Sequence, residues 1–182
     1  MSEKASFVSA FEHREELIPL YEEYSEVLLR ANPGFGASLA QQNYGEEIAH
    51  LEDKYQPPCG CMYLIYYDGA LAGCVGMKPL DEESAELKRL YLRPSFRGHN
   101  LGEQMLVRIM EDARTAGYKR LRLDTLPALR TALALYRRIG FYEIDPYYDC
   151  LIPGTIFMEI ELLQGRSYET AGNRGTDENE PA

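Results

Sequence analysis

The stretch that most constrains this chain is a strand, a glycine-flanked turn and a helix in immediate succession between Glu86 and Ala113. Glu86-Leu87-Lys88-Arg89-Leu90-Tyr91-Leu92 reads as a strand stopped by Pro94. After Arg97-Gly98-His99-Asn100-Leu101-Gly102, Leu101, Met105, Ile109 and Ala113 recur every four residues, with Leu106 and Met110 beside them. That spacing is one apolar stripe on a helix. A turn with a glycine at each end therefore leads from a strand into a helix N-terminus, where backbone N–H groups lack intrahelical partners and the helix dipole favours an anion. Such a geometry is suited to binding phosphate.

Charge sharpens this reading. The chain of 182 residues carries a net charge of −10, which argues against a general nucleic-acid binder. Yet residues 86–138 hold 12 of the 19 basic side chains and 5 of the 29 acidic ones. This is either an ordinary set of solvated faces or a local positive field for an anionic ligand. The four cysteines, Cys59, Cys61, Cys74 and Cys150, have no framework spacing, and His13, His50 and His99 are too scattered to complete a metal site, so no metal is expected. No apolar run approaches the ~18 residues of a membrane span, and no leader opens the chain. The expectation is a cytoplasmic protein with reduced thiols, without nucleic-acid or membrane partners.

Periodicity predicts the remaining elements. Ala5 to Phe11 reads as a strand, His13 to about Arg30 as a helix, and Ala37 to Tyr55 as a second, more polar helix. Met62–Tyr67, Asp68-Gly69 and Ala70–Met77 form a strong hairpin signal, because Asp-Gly suits a two-residue type I′ turn. Lys119 to Thr125 reads as a strand. A helix with Pro127 in its first turn and Gly140 at its end follows, and then strands over Phe141–Tyr148 and Thr155–Leu162. Asn100 and Glu103 complete a capping-box pattern, with Glu103 expected to face outward. The fold class is α/β, with one mixed sheet and helices on both faces, in a single domain over residues 1–163. A tail at 164–182 has the composition of disorder.

With these elements in place, the run from Glu86 to Phe141 resembles the GNAT superfamily of acyl-CoA-dependent N-acyltransferases. The family's turn, Arg/Gln-x-x-Gly-x-Gly/Ala, is matched at its ends by Arg97 and Gly102, with Asn100 where the middle glycine is usual. Asn tolerates positive φ better than other non-glycine residues, so the turn is compatible with it. A second motif, Ala-x-x-x-Tyr-x-x-x-Gly-Phe, is complete as Ala132, Tyr136, Gly140 and Phe141, while Leu129 stands where an asparagine is often found.

The resemblance implies a mostly antiparallel central sheet and acetyl-CoA as co-substrate. Its pyrophosphate would be cradled by Arg97, Gly98, His99, Asn100, Leu101 and Gly102, with Ala132 nearby. The backbone of Leu90, Tyr91 and Leu92 would pair with the pantetheine arm. Glu86 occupies the family's usual position for a catalytic base, and otherwise reads as a surface strand glutamate paired with Lys88 or an arginine. An amine with a pKa of about 10.4 makes such a base useful near neutral pH. Tyr136 matches the general acid for the leaving thiolate, and otherwise reads as a core tyrosine on an amphipathic stripe. Asp124, Tyr147 and Tyr148 are candidate contacts for an acceptor amine, although the two tyrosines equally suit a packed polar turn. The acidic composition leans toward a cationic acceptor. The expected activity is direct transfer of an acetyl group to the primary amine of a small metabolite in a ternary complex. A protein or peptide N-acetyltransferase and a non-catalytic acyl-CoA-binding module stay open, as does a homodimer.

Overall fold

The computed structural model describes residues 5–32, 43–150 and 152–163. The expected tail at 164–182 and the first six residues of the expected helix from Ala37 lie outside the described residues. Seven strands form one sheet in the order β1-β2-β3-β4-β5-β7-β6. They are β1 (Ala5–Ser9), β2 (Cys61–Tyr67), β3 (Ala70–Pro79), β4 (Ser84–Leu92), β5 (Arg120–Thr125), β6 (Tyr142–Ile144) and β7 (Ile156–Glu161). Every neighbouring pair is antiparallel except β4 with β5, which is parallel.

Alternation along the strands feeds two apolar cores, one on each face. Met62 and Leu64 of β2 join Leu17, Leu20 and Tyr21 of α1 (Leu17–Ala31). Cys61, Ile65 and Tyr67 of the same strand join Met105, Leu106 and Ile109 of α4 (Leu101–Thr115). Among the described residues between α1 and β2 are two short helices, α2 (Tyr44–Ala49) and α3 (Glu52–Tyr55), and α5 (Arg130–Ile139) follows β5. The β2–β3 hairpin turns at Asp68 (φ 48°) and Gly69 (φ 79°), the two positive values a type I′ turn requires. Gly140 (φ 114°) closes α5, and the Phe141 N–H reaches back to the Tyr136 carbonyl at 3.0 Å.

Several sequence expectations need correction. The polar helix ending at Tyr55 is interrupted at His50 and Leu51, where buried Leu51 anchors a new turn. Pro127 lies in the turn before α5, not in its first turn; Leu129 is the N-cap. The strand expected over Phe141–Tyr148 pairs only through Tyr142–Ile144, since Pro146 follows without an N–H to extend the ladder. The capping box is not formed: Asn100 adopts the left-handed region (φ 57°) and its side chain makes no capping bond. Glu103 is buried, not outward-facing, and accepts from Arg138 of α5 at 3.0 Å.

One irregularity, in β4, shapes the middle of the sheet. The pairing of β4 with β3 steps from Tyr91 to Lys88 while β3 steps only from Cys74 to Gly76, so β4 carries an extra residue. Arg89 has φ 56°, a left-handed conformation uncommon for a residue with a long side chain. The parallel pairing of β4 with β5 runs only from Ser84–Arg120 to Glu86–Arg122. Beyond it the two strands part, and the β5-facing edge of Leu90–Leu92 is left to pair with something else.

Candidate active site

The gap between β4 and β5 opens into a cavity of about 470 Å³. Leu90, Tyr136 and Tyr148 line it, with the charged side chains of Glu86, Lys88 and Asp124 and, beside them, those of Glu47, Lys54, Lys78, Arg89 and Asp149. Glu86 is not a surface residue but is almost wholly buried. Strand register explains its partners. Lys78 of β3 sits directly opposite Glu86, and Lys88 lies two residues along on the same face. Lys78 Nζ is 3.0 Å from Oε2 and Lys88 Nζ 3.1 Å from Oε1. The Tyr147 hydroxyl donates to Oε1 at 2.8 Å. Burial works to raise the Glu86 pKa, but the charges of Lys88 and Lys78 and the bond from Tyr147 outweigh it and hold the carboxyl below its ordinary value. Lys88 also donates to Asp124 at 3.0 Å. Burial would lower its pKa, yet Asp124 and Glu86 keep it raised and the ammonium charged.

The bulge directs the next side chain to a second carboxylate. Arg89 donates through Nε and a terminal nitrogen to Glu47 of α2, both at 2.9 Å, and lies 4.4 Å over the Tyr44 ring. Lys54 donates to Glu47 at 2.6 Å, Tyr55 at 3.0 Å and Tyr21 at 3.2 Å. None of Lys78, Arg89, Glu47 and Lys54 was among the residues the motifs single out. A signal existed for one of them: Lys88-Arg89 sets two charged residues side by side inside an alternating strand, as a bulge does.

Tyr136 is buried on α5, its ring 5.7 Å from that of Phe141, and burial pushes its hydroxyl pKa well up. It keeps its proton at any working pH and remains a donor. Tyr147 and Tyr148 pack edge-on against Phe157 at 5.1 Å each, and Arg122 already lies 5.7 Å over the Tyr147 ring. They thus form a packed aromatic wall in which Tyr147 is committed to Glu86.

The turn lies at the far end of β4. Arg97, Gly98, His99 and Asn100 are exposed, and Gly98 (φ 88°) has open space where a Cβ would stand. The first N–H groups of α4 lie at this turn, before the first intrahelical bond, which the Gln104 N–H donates to the Asn100 carbonyl at 3.2 Å. His99 Nδ1 lies 3.0 Å from the Tyr67 hydroxyl, with the rings 4.6 Å apart, which ties the turn to β2. Leu101 is buried in the core beneath α4, so only its backbone faces the turn. A Cβ on Gly102 would come within 3.1 Å of Leu135 Cδ2; this glycine's evident demand is the close approach of α4 and α5. Ala132 is half-buried against the same core, and Tyr91, also buried, sends its hydroxyl to Glu23 at 3.0 Å.

The comparison with known proteins agrees with this geometry. Residues 15–141 match the Acetyltransferase (GNAT) family. An uncharacterised N-acetyltransferase of Schizosaccharomyces pombe is 38% identical over 130 residues, covering 70% of this chain and 80% of its own length. The uncharacterised N-acetyltransferase YjgM of Escherichia coli is 32% identical over 143 residues, covering 77% and 81%. PaiA N-acetyltransferase from Thermoplasma acidophilum, whose crystal structure is a complex with coenzyme A, superposes with a TM-score of 0.67 at 20% identity, over 88% of this chain and 99% of that one. This chain belongs to the GNAT family of acetyltransferases.

Proposed function

We propose that this acetyltransferase uses acetyl-CoA and transfers the acetyl group directly to the primary amine of a small metabolite within a ternary complex. The observation that carries the reading is the parting of β4 from β5 just beyond Glu86, which frees the β4 edge that runs toward the exposed helix-N-terminal turn and opens a cavity lined by Glu86, Asp124 and the protonated phenol of Tyr136. The PaiA enzyme's complex with coenzyme A supports the choice of cofactor. The residues present fit such a ligand: Arg97, the open space at Gly98 and the first N–H groups of α4 suit a pyrophosphate, and the β5-facing edge of Leu90–Leu92 suits an extended amide-bearing arm.

When bound, acetyl-CoA supplies a thioester carbonyl as the acyl donor. The β4 backbone N–H groups polarise that carbonyl. Asp124 receives the acceptor's ammonium, and Glu86 takes its proton, through a water where the two do not touch. Lys78, Lys88 and Tyr147 keep Glu86 ionised and fixed in position. Its lowered basicity makes the pH dependence of turnover follow the acceptor amine. Tyr136 donates a proton to the departing sulfur.

A thermal-shift titration with acetyl-CoA, with adenosine diphosphate as control, tests the cofactor assignment. A ligand bound only by the folded state adds about 2.7 kcal/mol at ~100 times its dissociation constant. We expect a larger rise with acetyl-CoA than with the control, followed by thiol release when amines are supplied. No shift with acetyl-CoA overturns the reading.

A further inference from the structure

The charge that lines the cavity differs from what the acidic composition suggests. Its two most buried carboxylates are Glu47 and Glu86, whose side chains are only 1% and 2% exposed. Both oxygens of each are occupied, Glu86 by Lys78, Lys88 and Tyr147, and Glu47 by Arg89, Lys54 and two tyrosines. The lysines that neutralise Glu86 are more accessible than the carboxylate itself. Lys78 and Lys88 are 29% and 25% exposed. An ammonium has three N–H donors. Lys78 has one recorded contact, to Glu86 Oε2, and Lys88 has two, to Glu86 and Asp124. A ligand in the cavity therefore meets lysine donors, Lys54 (45% exposed) among them, next to two reachable carboxylates: Asp124, 28% exposed and bonded to Lys88, and exposed Asp149.

A purely cationic acceptor would bring its charge against Lys78 and Lys88, and like charges at contact are unfavourable. An acceptor with an anion beside its amine meets complementary charge at both ends, its carboxylate on the lysine donors and its ammonium on Asp124. We infer that the acceptor is an amino acid, an amine with a carboxylate on the adjacent carbon, read by Lys78 and Lys88 beside Asp124. This rests on the cavity being the acceptor site, as proposed above. Local charge, not the net charge of −10, selects the substrate.

The test pairs amino acids with their decarboxylated amines: alanine with ethylamine, serine with ethanolamine, phenylalanine with phenethylamine. Thiol release from acetyl-CoA gives kcat/KM for each, and a thermal shift with each compound alone gives binding. We expect kcat/KM at least tenfold higher for the amino acid in at least one pair. Lys78→Met should collapse that ratio by raising KM for the amino acid, and Lys78→Arg should preserve it. Equal or better turnover of the amines overturns the inference, and the wild-type comparison decides this even if a variant does not fold. Acetyl-CoA binding with acetylation of neither class also overturns it. If acetyl-CoA itself fails to bind, the cofactor reading falls separately. The binding arm then decides: a shift with amino acids that Lys78→Met abolishes upholds the acceptor site, and no shift removes it.

Discussion

Two buried carboxylates stand on either side of the β4 bulge, and their surroundings differ in one respect. Glu47 is enclosed by a bidentate arginine, a lysine and two tyrosines contributed by α1, α3 and β4. Glu86 is held by two lysines and one tyrosine, and those lysines reach the cavity. Both line the cavity, but the Glu47 node is closed around Arg89, bidentate and only 9% exposed, and joins helices to the sheet, with Lys54 as its exposed member; the Glu86 node is compensated by partly exposed lysines alone and keeps their donors available for chemistry. Burial of a charge is thus not in itself the mark of a catalytic group. The informative question is how firmly the partners that compensate it are held.

The largest effect should come from opening the closed node. Arg89→Met leaves Glu47 without its main counter-charge, and breaking a buried pair in this way costs about 3–5 kcal/mol. Chemical denaturation should show a loss of that size. A loss below ~1 kcal/mol would mean that Lys54 and the tyrosines suffice and that the two nodes are equivalent.

Acid should act next, and on the same node. Burial raises the Glu47 pKa, but the Arg89 bonds and charge, with those of Lys54, overcome this and hold the carboxyl at about 2 against its ordinary 4.5. A depressed folded-state pKa contributes stability that is fully present above the unfolded value and is lost as pH falls through the folded value. We expect roughly 3 kcal/mol to disappear between pH 4.5 and pH 2 from this group, with Glu86 contributing in the same direction. Unfolding curves across that window measure it, and Glu47→Gln should flatten the dependence. An unchanged slope in the variant would assign the acid sensitivity elsewhere.

The smallest expected effect in free energy is the one most specific to function. Glu86→Gln should lower turnover by about 100-fold, the range removed with a general base. Its midpoint of thermal unfolding should change little, because Lys78 and Lys88 can turn to solvent. Cofactor affinity should be unaltered. Full activity in this variant would remove Glu86 from proton transfer and turn attention to the other cavity carboxylates, Asp124 first, since it is partly exposed and bonded to Lys88.

Much of this protein could be read from its chain. The Asp68-Gly69 hairpin, the stripe of α4, the stop at Gly140 and the positive φ of Asn100 all follow from chemistry within a few residues. What the chain does not show has one cause. Asn-x-x-Glu suggested a local cap, but Arg138 on another helix offered Glu103 a counter-charge and drew it inward. Gly102 suits a phosphate turn along the chain, and only the fold adds its close approach to Leu135. Tyr147 and Tyr148 read equally as a cation contact or a packed polar turn, and only the fold supplies Phe157 and Glu86 as partners.

The sequence by itself determined the strand–turn–helix and the order of elements, because turn geometry and apolar period are set by neighbours along the chain. Only the tertiary structure decided which charges meet. Lys78 faces Glu86 through the antiparallel register of β3, Asp124 reaches Lys88 across parallel β5, and Arg89 turns to Glu47 because one extra residue reverses its direction. A one-residue change in register would reassign these partners and leave each element intact, because successive strand residues point to opposite faces.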